Sequence, residues 1–288
     1  MRRSVLIYNP KSGRQVTRRL LPAVLSELRA GFAVEAVPTA GAGDATRLAR
    51  AAAADHEVVF AMGGDGTLRE AAVGLLGTGA ALGPLPAGTA NVLALAFGLP
   101  RDARAAARLL PSCRPQEVDV GVAGGEPFLM MASCGVDAAV MARQSAALKR
   151  LLGGGAVVWT ALRQLWSYAY PEIELRFGGR HARVRLAVVS NIPYYGGAFR
   201  LAPSADYRDR RLDLFLFHGR GGTATFGLGL DLARGRHLAR ADVEATTVEE
   251  VEILGPPGVP LQVDGDVLAV APPLTVGLAP QRLRVLLP

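Results

Sequence analysis

Val58-Val59-Phe60-Ala61-Met62-Gly63-Gly64-Asp65-Gly66-Thr67-Leu68-Arg69-Glu70-Ala71 is the stretch on which the reading of the fold turns. Glu57 to Met62 is a short apolar run of strand type, and Thr67 to Leu76 repeats apolar residues at helical spacing. Between them stand three glycines around one aspartate. Glycine lets backbone amides come close to phosphate oxygens, a helix N-terminus adds a positive dipole end, and a carboxylate in the loop can hold a divalent cation. An ordinary strand-to-helix turn, with Asp65 or Thr67 as the helix cap, explains one polar residue and one glycine but not the set.

Towards the N-terminus the same alternation continues. Ser4 to Tyr8 and Phe32 to Pro38 read as strands around a helix from Val16 to Leu28, where Leu20, Leu21, Val24, Leu25 and Leu28 share one face. Thr46 to Ala54 is a second, Ala-rich helix. Alternating strands and helices imply a parallel sheet covered on both faces. Two further loops then open on the same sheet edge: Asn9-Pro10-Lys11-Ser12-Gly13, and Leu85-Pro86-Ala87-Gly88-Thr89-Ala90-Asn91, with Asn91 placed to cap the helix that follows. The first, taken alone, is equally well a common Asn-Pro and Ser-Gly turn. Three such loops on one edge together point to a nucleotide triphosphate.

After Asp119 the pattern changes. Phe128 to Ser133, Glu172 to Phe177, Ala182 to Ser190, Leu212 to Phe217, Val248 to Leu254 and Leu283 to Leu287 are short β-rich runs, as in an antiparallel sandwich or barrel. Gly121, Gly124, Gly125 and Pro127 mark a boundary, which predicts domains 1–124 and 125–288. One helical stretch, Ala138 to Tyr168, interrupts the strands. There Arg143, Lys149, Arg150 and Arg163 interleave with Leu148, Leu151, Leu152, Trp159, Leu162, Leu165 and Trp166. A core face with a solvated opposite side explains such a stripe, and so does an amphipathic membrane-surface helix.

Half of the 288 residues are apolar and 20% are charged, which excludes a disordered chain. A net charge of +7 favours an anionic partner. The aromatic fraction of 6% and the lack of a recognition motif argue against nucleic acid. Cys113 and Cys134 are too few for a disulfide framework or a four-ligand zinc site, and read as buried thiols of a cytoplasmic protein. The apolar run after Met1-Arg2-Arg3 ends at Asn9-Pro10, too short for a signal-peptide core, and no run approaches the roughly 18 apolar residues of a membrane span. The four histidines, His56, His181, His218 and His237, have no metal-ligand spacing.

In order, NPKSG at 9–13, GGDGTLREA at 63–71, LPAGTAN at 85–91, VDVG at 118–121, YGGAFRLAPSA at 195–205 and VDGD at 263–266 resemble the diacylglycerol kinase catalytic-domain superfamily, which includes soluble bacterial lipid kinases and the sphingosine and ceramide kinases. GGDGT is shared with NAD kinases and phosphofructokinases; NPKSG, GTAN and YGGxxRLAP are far more specific. The resemblance implies a Rossmann-like, NAD-kinase-like α/β nucleotide domain followed by an antiparallel β-sandwich, with the active site in the interdomain cleft. It further implies transfer of the γ-phosphoryl group of ATP to a lipid hydroxyl. Asn9, Pro10, Lys11, Ser12, Gly13, Thr39, Gly63, Gly64, Asp65, Gly66, Thr67, Leu68, Arg69 and Thr89 would line the ATP site. Asp65 and Asp119 would reach catalytic Mg²⁺, although spacing alone equally allows Asp119 to be a turn residue. Asp206, Asp209 and Arg211 align with a structural Mg²⁺ site, in which Asp209 supplies a carboxylate and positions 206 and 211 backbone oxygens; the arginines around them equally suit a salt-bridged turn.

The last motif carries the acceptor chemistry. In the family it usually reads Asp-Gly-Glu with the Glu as general base, so here the base is Asp266, one methylene shorter, or its neighbour Asp264. Read without the resemblance, Asp264-Gly265-Asp266 is a hairpin turn. Val92 also departs from the family, standing where many soluble bacterial diacylglycerol kinases have an aspartate. The expected partners are a lipid substrate and, transiently, an anionic membrane surface, reached from the cytoplasm. The oligomeric state stays open, a homodimer included. A small-molecule kinase resembling NAD kinase, and a nucleotide- or lipid-binding module without catalysis, are the alternatives.

Overall fold

In the computed structural model, which describes residues 2–143 and 163–288, the first third forms strands β1 (Arg2–Tyr8), β2 (Phe32–Pro38), β3 (Val58–Gly63), β4 (Ala81–Pro86) and β5 (Arg114–Val118). They alternate with helices α1 (Val16–Leu28), α2 (Asp44–Ala52), α3 (Asp65–Leu75), α4 (Val92–Ala96) and α5 (Ala103–Leu109). Strands β2, β1, β3 and β4 lie side by side and parallel. Every residue of β3 and β4 is buried, as in a strand covered on both faces. Helix α1 packs on α5 and α2 on α3. The first pair is also tied by charge: Glu27 of α1 receives Arg104 and Arg108 of α5 at 3.0 and 2.9 Å.

The rest of the chain supplies β6 (Gly121–Ala123), β7 (Glu126–Phe128), β8 (Met131–Gly135), α6 (Val136–Arg143), β9 (Ile173–Phe177), β10 (Arg180–Val184), β11 (Leu186–Ser190), β12 (Tyr194–Tyr195), β13 (Phe199–Arg200) and β14 (Leu212–Phe217). There follow α7 (Gly221–Ala233), β15 (Val243–Val248), β16 (Glu250–Gly255), β17 (Leu261–Val263), β18 (Asp266–Val267), β19 (Leu274–Leu278) and β20 (Leu283–Leu287). Two antiparallel sheets result, in the orders β10-β9-β16-β19-β6-β7 and β15-β14-β11-β8-β17-β18, with β12 and β13 as a separate small hairpin. Phe128, Leu175, Val251 and Val276 of one sheet and Cys134, Val189, Leu214 and Leu261 of the other share a single core. This is the expected sandwich. Cys113 and Cys134 are buried free thiols, and burial raises both.

Two of the expected strands are broken where the chain changes sheet. The run from Ala182 to Ser190 divides at Arg185, since β10 pairs with β9 in one sheet and β11 with β8 and β14 in the other. The run from Val248 to Leu254 divides in the same way between β15 and β16. An apolar run reads as one strand whichever sheet its halves join. The last strand belongs elsewhere again: β20 pairs antiparallel with β5, and Val285 lies parallel beside Leu82 of β4. The two compact units are therefore Met1–Asp119 with Pro280–Pro288, and Val120–Ala279, which differ from the expected 1–124 and 125–288 chiefly in the return of the C-terminus. Helix α7, rich in glycine, has no counterpart in the sequence reading. The helical stretch from Ala138 to Tyr168 is described at its two ends, α6 and residues 163–167; Lys149, Arg150 and Trp159 lie outside the described residues. Among the described residues no helix is long and apolar enough to cross a membrane.

Candidate active site

Strand register brings three loops of the first unit to one edge. Tyr8 lies beside Pro38 and Met62, and Gly63 beside Pro86. Hydrogen bonds then join the loops. The Asn9 main-chain N–H donates to the Met62 carbonyl at 2.9 Å, and its Nδ2 to Thr67 Oγ1 at 3.3 Å. Asn9 Oδ1 accepts from the Lys11 N–H at 3.0 Å, while Ser12 Oγ accepts from the Gly64 N–H at 3.4 Å. Ala87 N–H donates to the Gly63 carbonyl at 2.7 Å, so the loops after β3 and β4 are in direct contact.

The glycines have separate reasons to be there. A Cβ on Gly88 would stand 2.6 Å from Gly64 Cα, and one on Gly63 2.6 Å from the Thr67 side chain, both closer than atoms can approach. At Gly66 an added Cβ would meet nothing within 4 Å. Close packing fixes the loop's base, and open space lies over its tip. No side chain caps α3 at Gly64, which leaves the first-turn amides of an eleven-residue helix for an anion. Lys11 is exposed on the neighbouring loop. These features fit a phosphate chain.

Thr39 is buried at the end of β2, and its N–H donates to Tyr8 at 2.9 Å. Pro10 and Gly13, the latter at φ 57°, complete the first loop, and Thr89 is exposed on the third. Leu68 follows Thr67 in α3. Its side chain is fully buried and its N–H is bonded to Gly64 at 3.1 Å, so it belongs to the core beneath the loop. Arg69, the next residue, is partly buried.

The expected cap of α4 is also exchanged. Asn91 stands at φ 51° and makes no capping bond; its Oδ1 accepts from the Gly88 N–H at 2.9 Å and its Nδ2 donates to the Arg101 carbonyl at 3.1 Å. Asp65 Oδ1 accepts from the Leu93 N–H at 3.0 Å instead, and so caps α4 from another loop. Its Oδ2 makes no bond among the described residues. Asp119 is fully buried, with Oδ1 2.9 Å from Arg282 Nε. Among the described residues no three acidic, histidine or cysteine side chains gather as a metal site would need. A cation at these loops would draw on Asp65, phosphate oxygens and water, the usual manner of Mg²⁺.

In the second unit, the segment expected to hold a structural metal is bonded to itself. Asp206 accepts from the Arg208 N–H and Nε, each at 3.1 Å, and Asp209 from the Arg211 N–H at 2.9 Å. Arg210 reaches the Ala279 carbonyl at 3.2 Å. Both carboxylates thus accept from arginine or backbone N–H groups.

The two aspartates of the last motif differ sharply. Asp264, at φ 50°, accepts from three successive main-chain N–H groups: Leu129 at 2.7 Å, Met130 at 2.9 Å and Met131 at 3.0 Å. Its own N–H donates to the Met131 carbonyl at 3.0 Å. Asn191 holds the same segment from the other side, donating Nδ2 to the Leu129 carbonyl and its N–H to that of Met130. Asp266 is exposed at the start of β18. Beneath the turn lies a polar cluster that sequence reasoning missed, made by Ser133, Asp137, Tyr195 and Gln262. Its members come from four separate elements, and of the four only Tyr195 stood in a recognised motif.

The profile of the diacylglycerol kinase catalytic domain matches residues 3–123, and that of the YegS C-terminal NAD kinase beta sandwich-like domain matches residues 130–287. The diacylglycerol kinase of Bacillus subtilis (strain 168) is 29% identical over 100% of this chain and 97% of its own length. The probable lipid kinase YegS-like protein of Pseudomonas putida is 36% identical over 74% of this chain and 73% of its own. Crystal structures from Bacillus anthracis str. Sterne share the fold. One matches over 100% of this chain and 95% of its own with a TM-score of 0.85 at 22% identity. Another, of a diacylglycerol kinase, matches over 100% and 97% with a TM-score of 0.75 at 20% identity.

Proposed function

Because the chain belongs to the lipid kinase family defined by the diacylglycerol kinase catalytic domain and the YegS-type β-sandwich domain, we propose that it transfers the γ-phosphoryl group of ATP to a hydroxyl of a diacylglycerol-like lipid. One observation carries the nucleotide half of this reading. The uncapped N-terminus of α3 faces open space at Gly66, beside two loops packed at Gly64 and Gly88. When bound, ATP supplies the phosphoryl group and Mg²⁺ neutralises its oxygens. The residues of the chain would do the rest by position and charge: amides of 65–67 would hold phosphate oxygens, Lys11 would add a cation, and Asp65 Oδ2 would offer its charge to the metal.

Asp266 takes the proton. The lipid O–H bond breaks towards its carboxylate as the new O–P bond forms and the bond from the γ-phosphorus to ADP opens. Asp264 is unsuited to that work, since three main-chain donors already occupy its oxygens. The lipid is reached from a membrane. Trp166, Phe226, Leu230 and Leu238 are exposed apolar residues around α7, with Trp166 and Phe226 rings 6.4 Å apart. Exposed Arg234 and Arg236 stand between Leu230 and Leu238. Apolar side chains beside arginines suit an anionic bilayer on the cytoplasmic side.

The test is transfer from γ-labelled ATP to diacylglycerol, monoacylglycerol, ceramide, sphingosine and phosphatidylglycerol in mixed micelles, with NAD as a soluble acceptor in parallel. Labelled phosphatidate is the expected product. Label in NAD alone, or ATP binding without lipid-dependent ADP release, would overturn the reading.

A further inference from the structure

A chain of hydrogen bonds inside the second unit runs to the turn that carries Asp266. Gln262 of β17 is 4% exposed; its Nε2 donates to Ser133 Oγ at 2.6 Å and its Oε1 accepts from the Gly265 N–H at 2.7 Å. Ser133 of β8, 2% exposed, donates its hydroxyl to Asp137 Oδ2. Asp137 also accepts from the Ala138 N–H at 2.7 Å and the Tyr195 hydroxyl at 3.2 Å. Burial raises the Asp137 carboxyl, and the bonds from Ser133, Ala138 and Tyr195 oppose that rise.

Counting donors fixes each direction. Ser133, Ala138 and Tyr195 donate to Asp137, and the Gln262 side chain adds to their effect on its carboxyl. Ser133 has one proton and gives it there, so towards Gln262 its Oγ can only accept. The Gly265 N–H can only donate, so Oε1 must face it. The Gln262 amide therefore has a single orientation, set at one end by the buried carboxylate.

The turn itself needs such support. Asp264 at φ 50° and Gly265 at φ 90° are both left-handed, the two central positions of a tight hairpin between Val263 and Asp266, which pair across it. Its first central residue is fastened by the Asp264 carboxylate on Leu129–Met131. Its second is fastened by Gln262. The next residue is Asp266, which enters β18 directly from this turn.

We propose that Gln262 is a positioning residue of phosphoryl transfer: its amide, oriented by Ser133 and Asp137, holds Gly265 and thereby aims the Asp266 carboxylate. This rests on the reading of Asp266 as the base. Gln262→Met removes both hydrogen bonds at nearly constant length and volume. Misplacing a catalytic group by about 1 Å costs up to roughly 10²-fold, so kcat is expected to fall about 10- to 100-fold while KM for ATP stays within about twofold. Ser133→Ala, which cuts the chain one bond earlier, should give a smaller loss of the same kind.

A double-mutant cycle on the full chain, by single-turnover transfer to diacylglycerol micelles, tests the assignment, with thermal melts on each variant. With the base removed its aim is immaterial, so in an Asp266→Asn background Gln262→Met should add no further loss. The same fold-loss in both backgrounds, or wild-type kcat for Gln262→Met, would overturn the proposal while leaving the base in place. Wild-type turnover by Asp266→Asn alone would remove the base reading, and this proposal with it.

Discussion

Asp264 and Asp266 are the same residue type, separated by one glycine, yet one is spent on the backbone and the other is exposed. Asp264→Asn puts an amide N–H against main-chain donors, and an unsatisfied buried donor costs about 1–3 kcal/mol. The expected outcome is a lowered melting temperature with kcat reduced far less than in Asp266→Asn. Asp266→Glu, which restores the family's commoner residue, should keep substantial turnover. An Asp264→Asn enzyme that melts like wild type but is inactive would reverse the two roles. The sequence showed that this turn carries two carboxylates. It could not show their division, because the partners of Asp264 lie more than 130 residues earlier in the chain.

At the scale of elements, Asp65 serves two helices: it is the first residue of α3 and the cap of α4. An asparagine there can still accept from the Leu93 N–H through its Oδ1, but it offers no charge to a cation. Asp65→Asn should therefore melt close to wild type and lose turnover by orders of magnitude, even at saturating Mg²⁺. Near-normal turnover would dismiss the metal role. Helices α1 and α5 give a pH signature. Arg108 and then Arg104 hold the Glu27 carboxyl down to about 2, against an ordinary 4.5. A carboxyl lowered by folding stabilises the fold above its unfolded value and loses that contribution as pH falls towards the folded one. Glu27→Gln should thus lower the melting temperature at pH 7, with a deficit that shrinks from about pH 4.5 downwards and in high salt. A deficit unchanged at pH 3 would show that packing, not charge, is responsible. Elements with a strong local pattern, such as α1 and β14, were legible to the residue. Helix α7 was not, because its glycines dilute the helical pattern and two of its apolar side chains, Phe226 and Leu230, face solvent.

For the whole molecule, the order of strand types announced an α/β unit followed by a sandwich, and the motifs announced the loops. The sheet that β20 would join was hidden, since pairing with β4 and β5 depends on partners far away in sequence. So was the cluster around Asp137, whose members carry no common spacing. The net charge of +7 and the exposed Trp166, Phe226, Leu230 and Leu238 give the molecule-scale prediction. Binding to vesicles containing an anionic lipid should weaken as salt rises, since screening shortens electrostatic reach to roughly 8 Å at physiological ionic strength. Phe226→Ser with Leu230→Ser should weaken it further at any salt, as read by vesicle co-sedimentation. Binding indifferent to both salt and these substitutions would place the membrane contact elsewhere.

Lipid-dependent transfer from γ-labelled ATP to diacylglycerol, measured side by side for the wild type, Asp65→Asn and Asp266→Asn with ATP affinity determined separately, separates a lipid kinase from a nucleotide-binding module. Labelled lipid phosphate is expected from the wild type, with loss by orders of magnitude in both variants and near-normal ATP affinity in Asp266→Asn. Tight ATP binding by the wild type with no lipid-dependent label would refute lipid phosphorylation, and full transfer by Asp266→Asn would refute its role as the base.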